Sequence, residues 1–543
     1  MSFTVIQAGS VLQFVATDGT ITTLSLPTGM ELQTTVPPRW AVYGRYVIIV
    51  NTPTRPLTID ASGTVRPLTP LPPRLAAVLS GTGSSTLSGT YRCRYTNVIK
   101  DDIGNVIAES DYSPISNSVT IANQILKASS IDVSPDPVSA RRLYRTTTNG
   151  AVFMQWIDLD GNILTTVQDD LSDAGLGTTA GPTLGSPPRL TMIAEFRDRL
   201  FGVGDVNIDS VVYTETGLMY AWSPLNEIVV PRVGSDTFGI TGLISRREAL
   251  GVGRLNRLSQ ITGSGEEDAQ GTTDLRLIKL SDETGFLSQE SLAVYRDNVY
   301  FLWFDGVYEW SDNGIVCVSD GSAGRARVRS WFATDDFFDR SKFPVAFGHV
   351  DPIRNKYRLF LDDPDGVRHY VEFDLDDRTW WGPHRVDAFT PNSVFLRLAA
   401  DNVQTPTIGG TDGGLYCETT RAADVNLHGQ PYAIDFNVDT KAFIGTTADR
   451  VQYFGELSML GKSQSAGGTM AITPRVGYLD DDTPPKIVPA QASIAYEMKK
   501  GRQRLRRLGT GQLAQLNLRA NTVDKPVEIY GIEIADVHEV GRR

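Results

Sequence analysis

A strand–turn–strand unit keeps returning along this chain, and it limits the possible folds more than any other feature. It is read in Trp40–Asp60 (WAVYGRYVIIVNTPTRPLTID), Phe196–Thr216 (FRDRLFGVGDVNIDSVVYTET), Arg247–Gly263 (REALGVGRLNRLSQITG) and Tyr295–Asp312 (YRDNVYFLWFDGVYEWSD). Two more copies are Asn355–Trp380 and Thr405–Thr419. Each is an apolar strand, a Gly/Asp/Asn turn and a second strand. Repeats of roughly 40–50 residues built this way predict the blades of a β-propeller. A propeller is a rigid disc without chemistry of its own, so function has to come from what is grafted on it.

The 543 residues exceed one ordinary core and predict about two to four domains. A hydrophobic fraction of 41% and a charged fraction of 21% fit a folded, soluble chain. The strongest apolar run, Tyr46–Val50, is strand-sized and falls short of the roughly 20 residues of a membrane helix. The opening MSFTVIQAGS has neither a basic nor an apolar leader region, so no ordinary secretion signal is expected. Cys93, Cys317 and Cys417 stand far apart, with no CxxC pair. They read as plain thiols of a protein assembled in a reducing cytoplasm. The net charge of −12 argues for solubility and against a tight grip on nucleic acid. It also suits a surface along which DNA slides without sticking.

Residues 1–70 read as N-terminal propeller strands, with a hairpin at Val11–Leu26 and Asp18-Gly19 at its tip. These strands are expected to complete the last blade and close the ring. Prolines in Arg66–Leu75 mark a first break. Residues 71–187 alternate differently: Tyr91, Cys93 and Tyr95 share one face, and Arg92, Arg94 and Thr96 the other. Three further strands follow in Ala140–Asp170, which predicts an inserted sandwich of fibronectin type III kind. A second Pro-rich break, Leu184–Leu190, ends it. Residues 188–424 carry the remaining blades, with turns at Asp305-Gly306, Asn313-Gly314, Asp365-Gly366 and Asp412-Gly413. Residues 425–543 read as a C-terminal β domain. The fold class is all-β, with about six or seven blades.

Catalytic and metal motifs are sparse. The sequence holds no GxSxG elbow, P-loop or HExxH. His349, His369, His384, His428 and His538 lack metal-ligand spacing. Paired acids occur at Asp101/Asp102, Asp335/Asp336, Asp362/Asp363, Asp376/Asp377 and Asp480–Asp482. A glycosidase needs two carboxylates about 5–10 Å apart, but in a turn-rich β protein such acids read as turn formers. The same holds for the calcium candidates in Asp362–Gly366 and Asp158–Gly161. Trp303, Tyr308, Trp310, Trp380 and Trp381 read as packing between blades. No cofactor and no catalytic residue is expected.

One segment stands out against the acidic background. Lys499, Lys500, Arg502, Arg504, Arg506 and Arg507 fall within nine residues. In a strand, Arg502, Arg504 and Arg506 share one face. That face suits DNA phosphates or an acidic neighbouring subunit, or it protects an edge strand by charge. A second alternating set, Arg325, Arg327 and Arg329, leads into Trp331-Phe332 and reads as a strand with one polar face.

Phe196–Pro224 and Leu287–Gly321 resemble the strand pairs of tail nozzle, or DNA-stabilisation, proteins of short-tailed double-stranded DNA bacteriophages. The stretch from GTYRCRYTNV to DDLSDAGLG resembles the fibronectin-like insertion of that family. The resemblance covers residues 75–420 and does not extend past 425. It implies a non-enzymatic virion protein of the tail, assembled in the bacterial cytoplasm. It implies a homohexameric ring beneath the portal and its adaptor, or head-to-tail connector. Tail fibres or a needle or plug protein would be further partners, and genomic DNA would pass through the lumen. The alternative from the residues alone is a tail-borne or secreted propeller that acts on polysaccharide or binds a receptor.

Overall fold

The computed structural model describes residues 4–417 apart from 17–19, 28–29, 52–54, 102, 178–184, 233, 235–237, 267–272, 322–327, 387–388 and 399–403, and beyond 417 the strands given below. Two compact units divide the chain, Met1–Cys417 and Glu418–Arg543.

In the first unit, antiparallel sheets follow one another in chain order. An N-terminal sheet holds Thr4–Ala8, Val11–Val15 and Ile21–Leu24. Sheet I holds Arg39–Tyr43, Tyr46–Val50, Leu57–Ile59 and Val65–Pro67. Sheet II runs from Leu190–Phe196 to Glu227–Val229, and sheet III from Gly242–Ser245 to Arg276–Ser281. Sheet IV runs from Ala293–Tyr295 to Gly314–Cys317, and sheet V from Phe347–Asp351 to Trp380–Arg385. Sheet VI holds Pro391–Leu398, Gln404–Gly410 and Leu415–Cys417. Sheets I to V are four-stranded, each with its strands in sequence order.

Every successive pair of sheets shares an apolar core. Leu12 and Leu24 meet Ile49, Leu57 and Ile59. Ala41 and Ile48 meet Leu190 and Leu200, and Phe201 and Val211 meet Leu243 and Leu250. Leu258 meets Phe301 and Trp310, Tyr300 and Leu302 meet Tyr357 and Leu359, and Phe360 meets Ile408. Both faces of each inner sheet are therefore buried against neighbours, which is why the strands read as continuous apolar runs. This is a β-propeller.

The N-terminal strands do not complete the last blade. They form their own sheet against sheet I, because Leu12 and Leu24 are buried on Ile49 and Ile59. Arg329 is also not on a strand. It opens the short α-helix Arg329–Ala333, which sinks Phe332 against Phe338, Phe343 and Trp380. Three alternating arginines cannot outweigh that packing. Arg325 and Arg327 lie outside the described residues.

Between sheets I and II the chain makes a β-sandwich. Its larger sheet pairs Cys93–Lys100 with Val106–Glu109 and Ala140–Thr146, and the latter with Phe153–Asp160. Val78–Thr82, Ile125–Ser129 and Val167–Asp169 form the facing sheet. The expected alternation is present: Tyr91, Cys93 and Tyr95 are all buried in the sandwich core. Burial pushes the Cys93 thiol up to about 12, so it stays unreactive. The sandwich is docked on the propeller. Ile99 and Ala108 join the core between sheets I and II. Arg55 grips Asp136 with two hydrogen bonds of 2.9 and 2.7 Å, a bidentate fork.

In the second unit, Ile434–Asp439, Leu513–Thr522, Thr469–Asp480 and Thr483–Pro489 form the spine of a six-stranded sheet. Met470, Ile472 and Val476 are buried on one face of their strand, and Ala514, Leu516, Leu518 and Ala520 on one face of theirs. A separate three-stranded sheet places Arg450–Gly461 between Arg502–Gly511 and Ile529–Arg542.

Candidate interaction surfaces

Backbone register puts Arg502, Arg504 and Arg506 on one face of an edge strand, as their spacing predicts. They lie opposite Leu460, Ser458 and Glu456. Ser458 in turn pairs with Glu533 across the sheet. Arg507 falls at the irregularity between the Glu456 and Phe454 pairings. Lys499 and Lys500 lie outside the described residues. Arg329 is spent within its own unit, on Asp305 and on Asp320 at 3.6 Å.

Asp101 and the Asp362/Asp363 pair act as turn formers and ion-pair partners, while Asp102, Asp481 and Asp482 lie outside the described residues. Asp363 accepts the Asp365 and Val367 amides and pairs with His369, while Asp362 pairs with Arg368. Burial pulls the Asp158 carboxyl up most strongly of any single cause, but the hydrogen bonds and charges of Arg142 and Lys100 together outweigh it and hold the carboxyl below the usual range. Among the described residues no group of three His, Cys, Asp or Glu side chains could hold a metal ion. Trp303, Tyr308 and Trp310 pack between sheets, as expected, but Trp381 is exposed on the outermost strand of sheet V.

A feature the sequence reading missed runs around one propeller face. All five complete sheets turn from first to second strand on that face, because their strand order is the same. The turns Arg197-Asp198 and Arg296-Asp297 have both residues at positive φ, the two-residue hairpin turn that matches strand twist. These tips are tied to one another in sequence. Tyr43 of sheet I donates to the Asp198 carbonyl of sheet II at 2.9 Å. Arg197 pairs with Glu248 of sheet III. The Arg247 amide and the Arg246 guanidinium take Asp297 of sheet IV at 2.8 and 3.1 Å. Tyr295 completes the series on Asn355 of sheet V. Arg45, Arg247 and Arg296 stand exposed along this belt at 62%, 84% and 70%. Carboxylates accompany them throughout, so the face is one of mixed charge and suits a protein partner better than a polyanion.

One propeller imidazole stacks on Phe360 and lacks a hydrogen-bond partner among the described residues. His349 is buried between sheets V and VI, and neither ring nitrogen makes a hydrogen bond among the described residues. Burial, and then the facing Arg358, push its pKa down to about 4, against weaker opposing pulls from Asp351 and Glu372. The neutral ring is thus favoured in the folded state. Stability it contributes is present above the ordinary value of 6.5 and is lost as pH falls toward 4. The expected loss over that window is about 3 kcal/mol, read by denaturant unfolding at several pH values. His349→Phe should flatten that part of the profile. An unchanged profile would put the acid sensitivity elsewhere.

No protein-family model matches the sequence, and no curated protein matches it. Among solved structures the chain is similar to a puromycin-hydrolysing peptidase of Mycobacterium tuberculosis, at 15% identity and a TM-score of 0.23, covering 75% of this chain and 57% of that one. It thus spans just over half of that peptidase's length. A DUF4623 family protein from Bacteroides eggerthii matches at 9% identity and a TM-score of 0.23, over 75% and 88% of the two chains. The WD40 domain of Toxoplasma gondii coronin matches at 8% identity and a TM-score of 0.25, over 83% and 91%. The expectation of a non-enzymatic chain is corrected at this point. Hydrolases stand among the similar structures, so the exclusion of catalysis is not retained. At such TM-scores the likeness assigns no activity either.

Proposed function

We propose that the chain is a structural component of a short bacteriophage tail, a ring-forming nozzle that continues the DNA channel below the portal and adaptor. The observation that supports this reading is the docked insertion. A propeller interrupted after its first four-stranded sheet by a β-sandwich is the layout that the resemblance implies. The shared core and the Arg55–Asp136 fork make disc and sandwich one stiff body. Closed rings need such bodies, because heterologous contacts close only when each subunit repeats the same angle. The mixed-charge tip face and the basic edge strand of the second unit are the surfaces offered to neighbours.

The test is genetic. A stop codon early in the reading frame, in a host that does not suppress it, should give heads that lose their packaged DNA to nuclease. Infectious, nuclease-resistant particles would contradict the reading. They would favour a propeller that acts on, or binds, the cell surface.

A further inference from the structure

The first strands of the propeller sheets are the innermost, since each lies against the first strand of the neighbouring sheet for I–II, II–III, IV–V and V–VI. Sheets II and III separate sheet I from sheet IV. Sheets V and VI continue the series beyond sheet IV. A bond between sheet I and the segment entering sheet IV therefore runs along the inner side of sheets II and III, where the first strands line the axis.

Such a bond exists. The segment entering sheet IV contains a single 3₁₀ turn, Gln289–Ser291. Glu290 Oε1 accepts from Nε of Arg39, the first residue of sheet I, at 2.9 Å. Arg39 Nη1 also donates to the Thr191 carbonyl of sheet II at 2.7 Å. Gln289 accepts from the Leu243 amide of sheet III at 2.7 Å and donates to the Leu243 carbonyl at 2.9 Å. On the side of sheet V, the Ser288 hydroxyl donates to the Ala346 carbonyl at 2.7 Å, and the buried Tyr357 hydroxyl donates to the Ser291 carbonyl at 2.8 Å. One short turn thus ties sheets I, III, IV and V, with Arg39 adding sheet II.

We infer that the Ser288–Leu292 turn is a plug that closes the axial channel of the propeller at the mouth opposite the hairpin tips, with Arg39–Glu290 as its latch. Arg39 begins its strand at that mouth, whereas the tip lies at the strand's other end. Both side chains are more than three-quarters buried, at 20% and 24% exposure, so the pair is less screened than a surface ion pair. A ligand or polymer that enters the axis from this mouth meets the turn. The remaining route past the disc is around it.

Hydrogen exchange on the full chain tests this. The amides of Leu287, Ser291 and Leu292 are bonded to Leu302, Ser288 and Gln289 carbonyls and report the turn directly. Arg39→Ala and Glu290→Ala should each speed their exchange about tenfold or more, the worth of a hydrogen bond to a charged group. The double variant should be no faster than the singles, and the strands Asn298–Trp303 and Lys356–Asp362 should keep their protection. Unchanged exchange at the turn would overturn the latch, as would additive effects or equal acceleration across those strands. If Glu290→Ala does not fold, Glu290→Gln replaces it and should give a smaller acceleration confined to the turn. Failure of both to fold would overturn the idea of a separable latch.

Discussion

Replacing Arg254 by alanine is expected to lower the unfolding free energy of the propeller by about 4 kcal/mol. Arg254 ends the second strand of sheet III and is fully buried. Its guanidinium donates to the Phe238 carbonyl at 2.7 Å, to the Val230 carbonyl at 2.9 Å and to Asp209 at 2.5 Å. Those carbonyls belong to the crossing from sheet II to sheet III, which has no sheet of its own to satisfy it. Alanine leaves both carbonyls and a void behind. Asp209 keeps Arg232, whose hydrogen bonds are the larger cause of its carboxyl lying at about 2. Arg232 is itself 45% exposed, so Arg232→Ala should cost no more than about 1 kcal/mol. All eight tryptophans lie before residue 382, so urea unfolding followed by tryptophan fluorescence reads the first unit alone. Equal losses for the two variants would show that the burial argument is wrong.

Trp310→Ala is expected to cost a similar amount, about 4 kcal/mol, by a different route. Trp310 is buried between sheets III and IV, with the Arg246 guanidinium 4.7 Å from its ring centre. A Cβ at Gly251, on the facing strand, would come within 2.6 Å of that ring. Glycine is there because the indole fills its side-chain space. Gly251→Ala should therefore destabilise the native protein by about 1–3 kcal/mol through overpacking. In the Trp310→Ala background the same methyl enters the void, and its effect should vanish or reverse. Additive losses in the double variant would mean that the two residues do not share one space.

Much of the fold is legible in the sequence, and the exceptions have physical causes. The apolar strand pairs and the turns at Asp365-Gly366 and Asp412-Gly413 lie where spacing places them, because each blade hairpin is local; Gly306 and Gly314 already open their second strands, and Asp18-Gly19 lies outside the described residues. The sandwich strands of residues 140–170 are legible for the same reason. Arg199 and Arg254 are not, because an arginine in a strand reads as exposed. Both are in fact fully buried clamps on loop carbonyls, Arg199 on Thr214 and Gly265. The N-terminal strands look like any blade strands, and only tertiary packing decides which sheet they join. Arg39 and Glu290 are 251 residues apart, and no local pattern announces their bond. The tip belt had a faint signal, the Arg-Asp dipeptide repeated in FRDR and YRDN. Its meaning depends on every tip sharing a face, which is a property of the assembled disc. Of the candidate contact residues, the strand positions of Arg502, Arg504 and Arg506 were legible, while Arg329 was misread because helix packing overrode its alternation.

The most direct test of the nozzle reading is immunogold electron microscopy of particles purified from the source lysate, with antibody raised against this chain. Label at the far end of a short tail is the expected result. Unlabelled particles, with the protein free in the medium, would contradict it.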